Sequence, residues 1–164
     1  MQSISPQTET VDIVYFSWTG NTKKVVEIIF QELSGSADIN VIEIKPKRNY
    51  PYLIWLLLSF LPGAGTSIQY GDLKSKLLFI CMPKWTVNCP PITSFLRKAN
   101  LKDKIVALVI TYGGFDEVRY TESYKNKIKK LCKEVKGVLL VKRNKIALDE
   151  GKIRGWVKNV LKKS

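Results

Sequence analysis

A six-residue segment near the start of the chain combines the chemical groups that hold a phosphate. It comprises Ser17, Trp18, Thr19, Gly20, Asn21 and Thr22. Three side chains carry a hydroxyl, one carries a carboxamide, and the glycine frees the surrounding backbone N–H groups. Such neutral donors bind a phosphate at the start of a helix without help from a lysine.

Two better-known phosphate loops do not fit this segment. A Walker A motif would need a glycine at position 15, which is Tyr15, and no G-x-G-x-x-G occurs in the chain. A polar turn that only caps a helix is the remaining alternative. A cap needs one such side chain, and four polar side chains are present here. We therefore favour a phosphate-binding loop that serves neither a nucleoside triphosphate nor a dinucleotide.

Two further loops carry aromatic rings and glycines where buried strands are predicted to end. The first contains Pro83, Lys84, Trp85, Thr86 and Asn88, and the second contains Tyr112, Gly113, Gly114 and Phe115. Aromatic side chains suit a flat apolar ring, because stacking contributes about 0.5–1.5 kcal/mol beyond area burial. Glycines let the backbone approach such a ring closely. Trp85 and Tyr112 are the candidate stacking rings; ordinary packing of these aromatic side chains is the alternative.

The elements that would position these loops alternate along the chain. Strands are predicted over residues 11–16, 39–44, 77–82, 105–110 and 138–141, and helices after residue 21 and over 50–62, 92–98, 117–136 and 149–162. Segments 77–82 and 105–110 are nearly all apolar and predict central strands, whereas the mixed polarity of 39–44 indicates an edge strand. The alternation predicts an α/β fold with a parallel sheet covered on both faces.

The apolar segment 53–61 has two interpretations. Residues 53–58 are all apolar, but the segment is too short to span a bilayer, which needs about 20 residues. We favour a buried crossover helix between the second and third strands. The alternative is a contact with a partner or with a membrane surface through 53–61.

Composition limits the chemistry. The 164 residues predict a single domain over 1–164, and the chain has no histidine and three cysteines without a C-x-x-C pair. A zinc site, an iron–sulfur cluster and a histidine-dependent triad are therefore poor explanations, and we expect no metal. The polar first ten residues predict no signal peptide and a cytoplasmic location.

The charge is strongly positive and unevenly distributed. The net charge is +13, and residues 119–164 hold 15 of the 27 Lys and Arg residues with only 4 of the 14 acidic ones. Such a field favours anionic partners, which include an acidic redox protein, a membrane surface and nucleic acid.

The order of a strand, the sequence S-x-T-G-N-T and a helix resembles the phosphate-binding signature of the flavodoxin family. The resemblance covers residues 11–161 and is nearest to the flavodoxin-like domains that precede ferredoxin modules in proteins of some anaerobes. The cluster cysteines are lacking, so we expect no ferredoxin part. The resemblance implies a flavodoxin-like three-layer sandwich, a five-stranded parallel sheet in the order 2-1-3-4-5, and FMN as the cofactor. Trp85 and Tyr112 would then flank the isoalloxazine, and Thr86 or Asn88 would offer a peptide near its N5 atom.

Electron transfer through FMN is the function that this interpretation predicts, because no general base or nucleophile accompanies the loops. We expect an acidic partner, such as a ferredoxin or a reductase, and a less negative low potential than in an acidic flavodoxin, because Lys84 and Arg119 are near. An FMN-dependent NAD(P)H or quinone reductase is the alternative. A basic nucleic-acid-binding module ranks last, since lysines along amphipathic helices usually form a solvated face.

Overall fold

The computed structural model describes residues 9–162, which form a parallel sheet with helices on both faces. The polar start of the chain, from which no signal peptide was predicted, lies mostly outside the described residues. In chain order the elements are β1 Glu9–Tyr15, α1 Asn21–Leu33, β2 Ala37–Glu43, β3 Lys45–Pro46, α2 Tyr52–Phe60, β4 Ile68–Gln69, β5 Leu77–Pro83, α3 Pro90–Lys98, β6 Ile105–Tyr112, α4 Glu117–Lys129, β7 Glu134–Lys142 and α5 Glu150–Lys162.

The main sheet has five parallel strands in the order β2-β1-β5-β6-β7. This is the predicted order 2-1-3-4-5, counted over the strands of the main sheet, and the mixed-polarity strand β2 lies at an edge as predicted. The sequence did not predict β3 and β4, which form a separate antiparallel pair of two residues each. All five carboxyl ends meet at one edge of the sheet.

Apolar side chains fill both spaces between the sheet and its helices. On one face, Val25 and Ile29 of α1 and Val157 of α5 are buried against the sheet. On the other face, Phe95 of α3 and Tyr124 of α4 are fully buried. Strands β5 and β6 are buried along nearly their whole length, as their continuous apolar sequences predict for strands covered on both sides.

A carboxylate is buried inside strand β1. Asp12 is fully buried, and its Oδ1 accepts a 2.6 Å hydrogen bond from Asn40 Nδ2 of β2. Its Oδ2 accepts bonds from the backbone N–H groups of Lys74, at 2.9 Å, and Ser75, at 2.8 Å. The acid therefore joins β1, β2 and the segment that leads into β5, with both oxygens satisfied.

The predicted boundary between the fourth helix and the last strand was wrong. Helix α4 ends at Lys129 rather than at residue 136, and β7 begins at Glu134 rather than at residue 138. The N–H of Cys132 still bonds to Ile128 O, but the N–H of Lys133 bonds to Lys104 O next to β6. Residues 134–136, whose apolar spacing is compatible with a helix, therefore form part of β7, which pairs with β6.

The prediction that the apolar segment is a buried crossover helix was wrong for most of its side chains. Segment 52–60 does form a helix, α2, but only Trp55 and Ser59 of it are buried. Leu53 is 73% exposed and Leu57 is 60% exposed. Helix α2 thus presents an apolar face to the surroundings, which is unusual for a helix of a water-soluble domain.

Candidate functional site

A cleft lies where β1, β5, β6 and β7 end, at the sheet edge where ligands of open α/β folds bind. Its enclosed volume is about 100 Å³. Residues from all three predicted loops line it, together with Thr111 of β6 and Arg143 directly after β7, which were not predicted as site residues. The lining consists of Trp18, Thr19, Asn21, Thr22, Pro83, Lys84, Trp85, Thr111, Tyr112, Gly113 and Arg143.

The first loop delivers the chain from β1 into α1. Gly20 has φ of 84°, a left-handed conformation that favours glycine, and its N-cap position carries no side-chain cap hydrogen bond. Asn21 Nδ2 donates to Thr19 Oγ1 at 3.0 Å, which holds these two side chains together. The buried Thr22 hydroxyl bonds to Thr111 Oγ1 at 2.7 Å and so ties the loop to β6. The positive end of α1 faces an edge rich in neutral donors.

The loop after β5 holds its side chains through contacts with β6 and α4. The N–H of Lys84 bonds to Thr111 O at 2.7 Å, and its Nζ donates to Trp85 O at 3.2 Å. The same Nζ lies 5.5 Å from the centre of the Tyr120 ring. The Tyr120 hydroxyl donates to Pro83 O, and burial raises its pKa, so it stays a protonated donor at neutral pH. Lys84 is therefore fixed at the wall of the cleft.

Arg143 is the main residue of the cleft lining that the sequence did not predict. Its backbone N–H bonds to Tyr112 O at 2.8 Å, and its guanidinium lies over Gly113. A Cβ atom at Gly113 would come within 3.0 Å of Arg143 Cζ, so the glycine makes room for the arginine. The position directly after the last strand was a signal for it, because that strand ends at the same sheet edge.

A cluster of tryptophans stands beside the cleft. The rings of Trp18, Trp55 and Trp85 meet edge to face, with centroids 5.8 Å, 6.1 Å and 5.7 Å apart for the three pairs. A second, mostly apolar cavity of about 180 Å³ opens between this cluster and α2. Trp18 and Trp85 line both spaces, and Trp55 Nε1 is buried without a hydrogen-bond partner in the described part of the chain.

Several predicted site residues lie outside the cleft lining. Ser17 accepts a bond from the Lys23 N–H at 3.3 Å, and Thr86 lines the apolar cavity instead. Gly114 and Phe115 are exposed. Asn88 is fully buried and is a structural residue: its Nδ2 donates to Ala64 O at 2.7 Å and its Oδ1 accepts a bond from Thr93. Its side chain therefore does not reach the cleft.

The loop after β6 has an unusual backbone. Gly114, Phe115 and Asp116 have φ of 125°, 81° and 55° in succession. For residues with a side chain such angles cost about 1–3 kcal/mol each. Phe115 is also 88% exposed, so its ring has no packing to offset that cost. Because this conformation is strained, other conformations of the loop would differ from it little in free energy.

The cleft is electropositive. Lys84 and Arg143 contribute two cationic side chains, whereas no Asp or Glu lines it. Within residues 9–162, no group of His, Cys, Asp or Glu side chains is arranged to hold a metal ion. In that same range, no helix is long and apolar enough to cross a membrane. The arrangement therefore fits an anionic ligand with a flat apolar part beside tryptophan rings.

The structure resembles solved flavodoxins, so the fold defines the class of flavodoxin-like α/β proteins. A flavodoxin from Streptococcus pneumoniae TIGR4 matches with a TM-score of 0.65 at 15% identity, over 94% of this chain and 99% of that one. The apo form of a flavoprotein from Lactobacillus acidophilus matches with a TM-score of 0.63 at 22% identity, over 82% and 93%. Two-electron reduced flavodoxin from Megasphaera elsdenii matches with a TM-score of 0.60 at 19% identity, over 90% of this chain and 96% of that one.

Sequence comparison assigns the chain to a family. No family model matches it. An uncharacterized protein of Archaeoglobus fulgidus is 40% identical over 152 residues, which cover 93% of this chain and 99% of the relative. The chain belongs to the same family as this archaeal protein, and the family has the flavodoxin-like fold.

Proposed function

We propose that the protein binds one FMN molecule in the cleft and transfers electrons through it. The observation that carries this proposal is the meeting of three loops, from β1, β5 and β6, around one space with two cations and no carboxylate. A flavin supplies the electron-accepting and electron-donating chemistry when bound, and the protein supplies binding, orientation and electrostatics.

The residues present fit such a cofactor. Thr19, Asn21 and the start of α1 offer hydroxyl, amide and backbone N–H donors to a phosphate. Trp85 lies in the loop after β5 and Tyr112 at the end of the neighbouring strand β6, and both offer apolar walls to a flat ring. The enclosed space of about 100 Å³ is smaller than the roughly 300–1,000 Å³ of typical ligand pockets. We therefore propose that loop 113–116, with its strained backbone, moves to complete the site.

Lys84 and Arg143 would act on the charge of the bound group. A fixed cation beside the cleft favours the negative charge that accumulates on reduction. The absence of carboxylates from the lining removes the opposing effect. This is the physical basis for a less negative low potential than an acidic flavodoxin shows.

A flavin titration tests the proposal. Purified protein is titrated into FMN, FAD and riboflavin while flavin fluorescence is followed; we expect quenching at a 1:1 ratio and tightest binding of FMN. Thr19→Val with Asn21→Leu should weaken FMN much more than riboflavin, because riboflavin lacks the phosphate. Ser36→Ala, an exposed position away from the cleft, is the matched control. Absence of binding by the wild-type protein would refute the proposal.

A quinone reductase is the second candidate, and the apolar cavity favours it. The cavity shares Trp18 and Trp85 with the cleft, so a small aromatic acceptor there would lie one indole ring away from the flavin. The test is steady-state oxidation of NADH or NADPH with menadione by FMN-loaded protein. Turnover would favour the enzyme; flavin binding without turnover would favour the electron carrier.

A further inference from the structure

Helix α2 carries an exposed apolar face that the flavin site does not use. Five large side chains of α2 and that of Leu61, directly after it, are exposed at the surface and are hereafter the α2 face, whereas Trp55 and Ser59 are buried. The α2 face consists of Tyr52, Leu53, Ile54, Leu57, Phe60 and Leu61. Contiguous apolar patches of this kind mark interaction sites.

The length and attachment of α2 suit a helix that lies on a surface. Nine residues extend only about 14 Å at 1.5 Å per residue, far less than a bilayer core. Helix α2 is held to the protein through its other side: Thr86 Oγ1 donates to Ser59 Oγ at 2.7 Å, and the N–H groups of Val87 and Asn88 bond to Ser59 O. These hydrogen bonds hold α2 in place, and the α2 face is left exposed to the surroundings.

The chain on either side of α2 has few acidic residues. Asp72 is the only acidic residue between Glu43 and Asp103. Lys47 and Arg48 precede α2 and are exposed. The chain around the helix therefore offers cations and almost no repulsion to an anionic surface.

A basic cleft adjoins the far end of the helix. Gly63, three residues beyond α2, lines it together with Arg97, Lys127 and Lys130, over a floor formed by Thr93, Leu96 and Leu131. Arg97 donates to Gly63 O, which fixes the cleft against the end of the α2 segment. None of the three cationic side chains is paired with a carboxylate in the described part of the chain. The pKa of Lys127 is lowered mainly by burial and to a smaller extent by the positive charge of Arg97. A bound anion would offset the repulsion between these two cations.

We propose that α2 docks the protein onto the surface of an anionic lipid bilayer, with the α2 face among the acyl chains and lipid phosphates at the basic cleft. An interfacial helix of this type combines apolar burial with attraction to anionic headgroups. A second copy of the chain fits less well, because it carries the same net charge of +13 and would meet like charge, whereas an anionic bilayer offers the opposite charge. The proposal rests on α2 and not on the flavin.

Docking of this kind would bring the apolar cavity to the membrane. Tyr52 belongs both to the α2 face and to the cavity lining, and Trp55 packs on Trp18 and Trp85 beside the flavin cleft. The cavity therefore borders the docked surface.

Vesicle flotation tests the proposal with the protein as purified. Wild-type protein should float with vesicles made of equal parts phosphatidylglycerol and phosphatidylcholine. Leu53→Lys with Leu57→Lys keeps the charge attractive but removes apolar contact, and should lower the bound fraction by at least about tenfold. Lys127→Gln with Lys130→Gln should also lower it, and high salt should do the same. Leu148→Lys changes a leucine that is 83% exposed outside the patch and serves as the control.

Three results would overturn the proposal. One is failure of the wild-type protein to bind anionic vesicles. Another is equal binding to vesicles of phosphatidylcholine alone, which would remove the role of the basic cleft. The third is a concentration-dependent dimer that Leu57→Lys dissociates, with vesicle binding that Leu53→Lys with Leu57→Lys leaves unchanged. Circular dichroism and thermal midpoints of each variant verify folding, and the FMN titration is scored separately, so the two proposals fail independently.

Discussion

Two cationic side chains line the cleft and make its electrostatic potential positive. Lys84 comes from the end of β5, and Arg143 follows β7 and lies over the backbone of Gly113. Neither has a carboxylate partner within the described residues. An anion that enters the cleft would therefore replace water at both groups.

Replacing either cation should weaken FMN binding. Hydrogen bonds to charged groups contribute about 1.5–3 kcal/mol, so Lys84→Gln or Arg143→Gln should raise the Kd for FMN about tenfold or more. The same variants should make the low reduction potential more negative, because a cation that favours added negative charge is lost. Fluorescence titration and redox titration measure the two effects. Lys142→Gln, next to Arg143 but outside the cleft lining, is the matched control, and an equal effect there would contradict a local role.

The cysteines should differ in reactivity. Burial raises the pKa of the Cys81 and Cys89 thiols far above the ordinary range, and both side chains are fully buried. Cys132 is half-buried, and burial raises its pKa as well. A raised pKa lowers the thiolate fraction at neutral pH, and only the thiolate reacts.

Iodoacetamide labelling followed by mass spectrometry measures this difference. We expect slow labelling of Cys132 in the native protein that becomes faster as the pH rises, and labelling of Cys81 and Cys89 only in denaturant. The folded Cys132→Ser variant should then not be labelled by iodoacetamide. Rapid native labelling of Cys89 would show that its surroundings open.

At the scale of elements, Ser59 joins α2 to the loop that holds Trp85. Its hydroxyl accepts a bond from Thr86 and donates to Leu56 O. Loss of a buried hydrogen bond costs about 1 kcal/mol, so Ser59→Ala and Thr86→Val should each lower the free energy of unfolding by about that amount. Urea denaturation measures both, and the double variant should cost less than the sum because the two side chains share one bond. Ser36→Ala, which is exposed, should change little.

The elements predicted well from the sequence are those whose burial is uniform. Strands β5 and β6 are apolar throughout because helices cover both faces, so their positions could be read from composition alone. Helix α2 was misjudged because an unbroken apolar run says nothing about which faces are covered. The end of α4 was misjudged because residues 131–135 satisfy a helical spacing, and only the pairing with β6 decides otherwise.

The cleft was predictable to the extent that strand ends define it, and its role as a binding site stays a prediction. Loop 17–22 carries a recognisable pattern of residues, and Trp85 and Tyr112 follow buried strands, so the sequence located them. Arg143 follows a strand whose start was misplaced, and α2 contributes Trp55 from a segment far from the loops in sequence. Such long-range contacts leave no local trace in the sequence.

At the scale of the whole molecule, the charge should control encounter rates. A net charge of +13 attracts acidic partners, and salt screens the attraction beyond about 10 Å at 0.1 M ionic strength. If electrons come from an acidic ferredoxin, the second-order rate constant of FMN-loaded protein should fall by about tenfold or more from low to high salt. Stopped-flow spectroscopy measures it, with reoxidation by an uncharged quinone as the control. A rate that salt does not change would contradict electrostatic docking.

The buried Asp12 carboxylate also bears on the order in which the chain folds. Strand β1 lies between β2 and β5, but the N–H groups that satisfy Asp12 Oδ2 belong to residues 74 and 75, more than 60 positions later. A shorter nascent chain would have to bury Asp12 Oδ2 without its two donors, which is unfavourable. The first half of the protein should therefore stay open during synthesis until β5 has emerged, with the α2 face accessible to chaperones or lipid throughout that time.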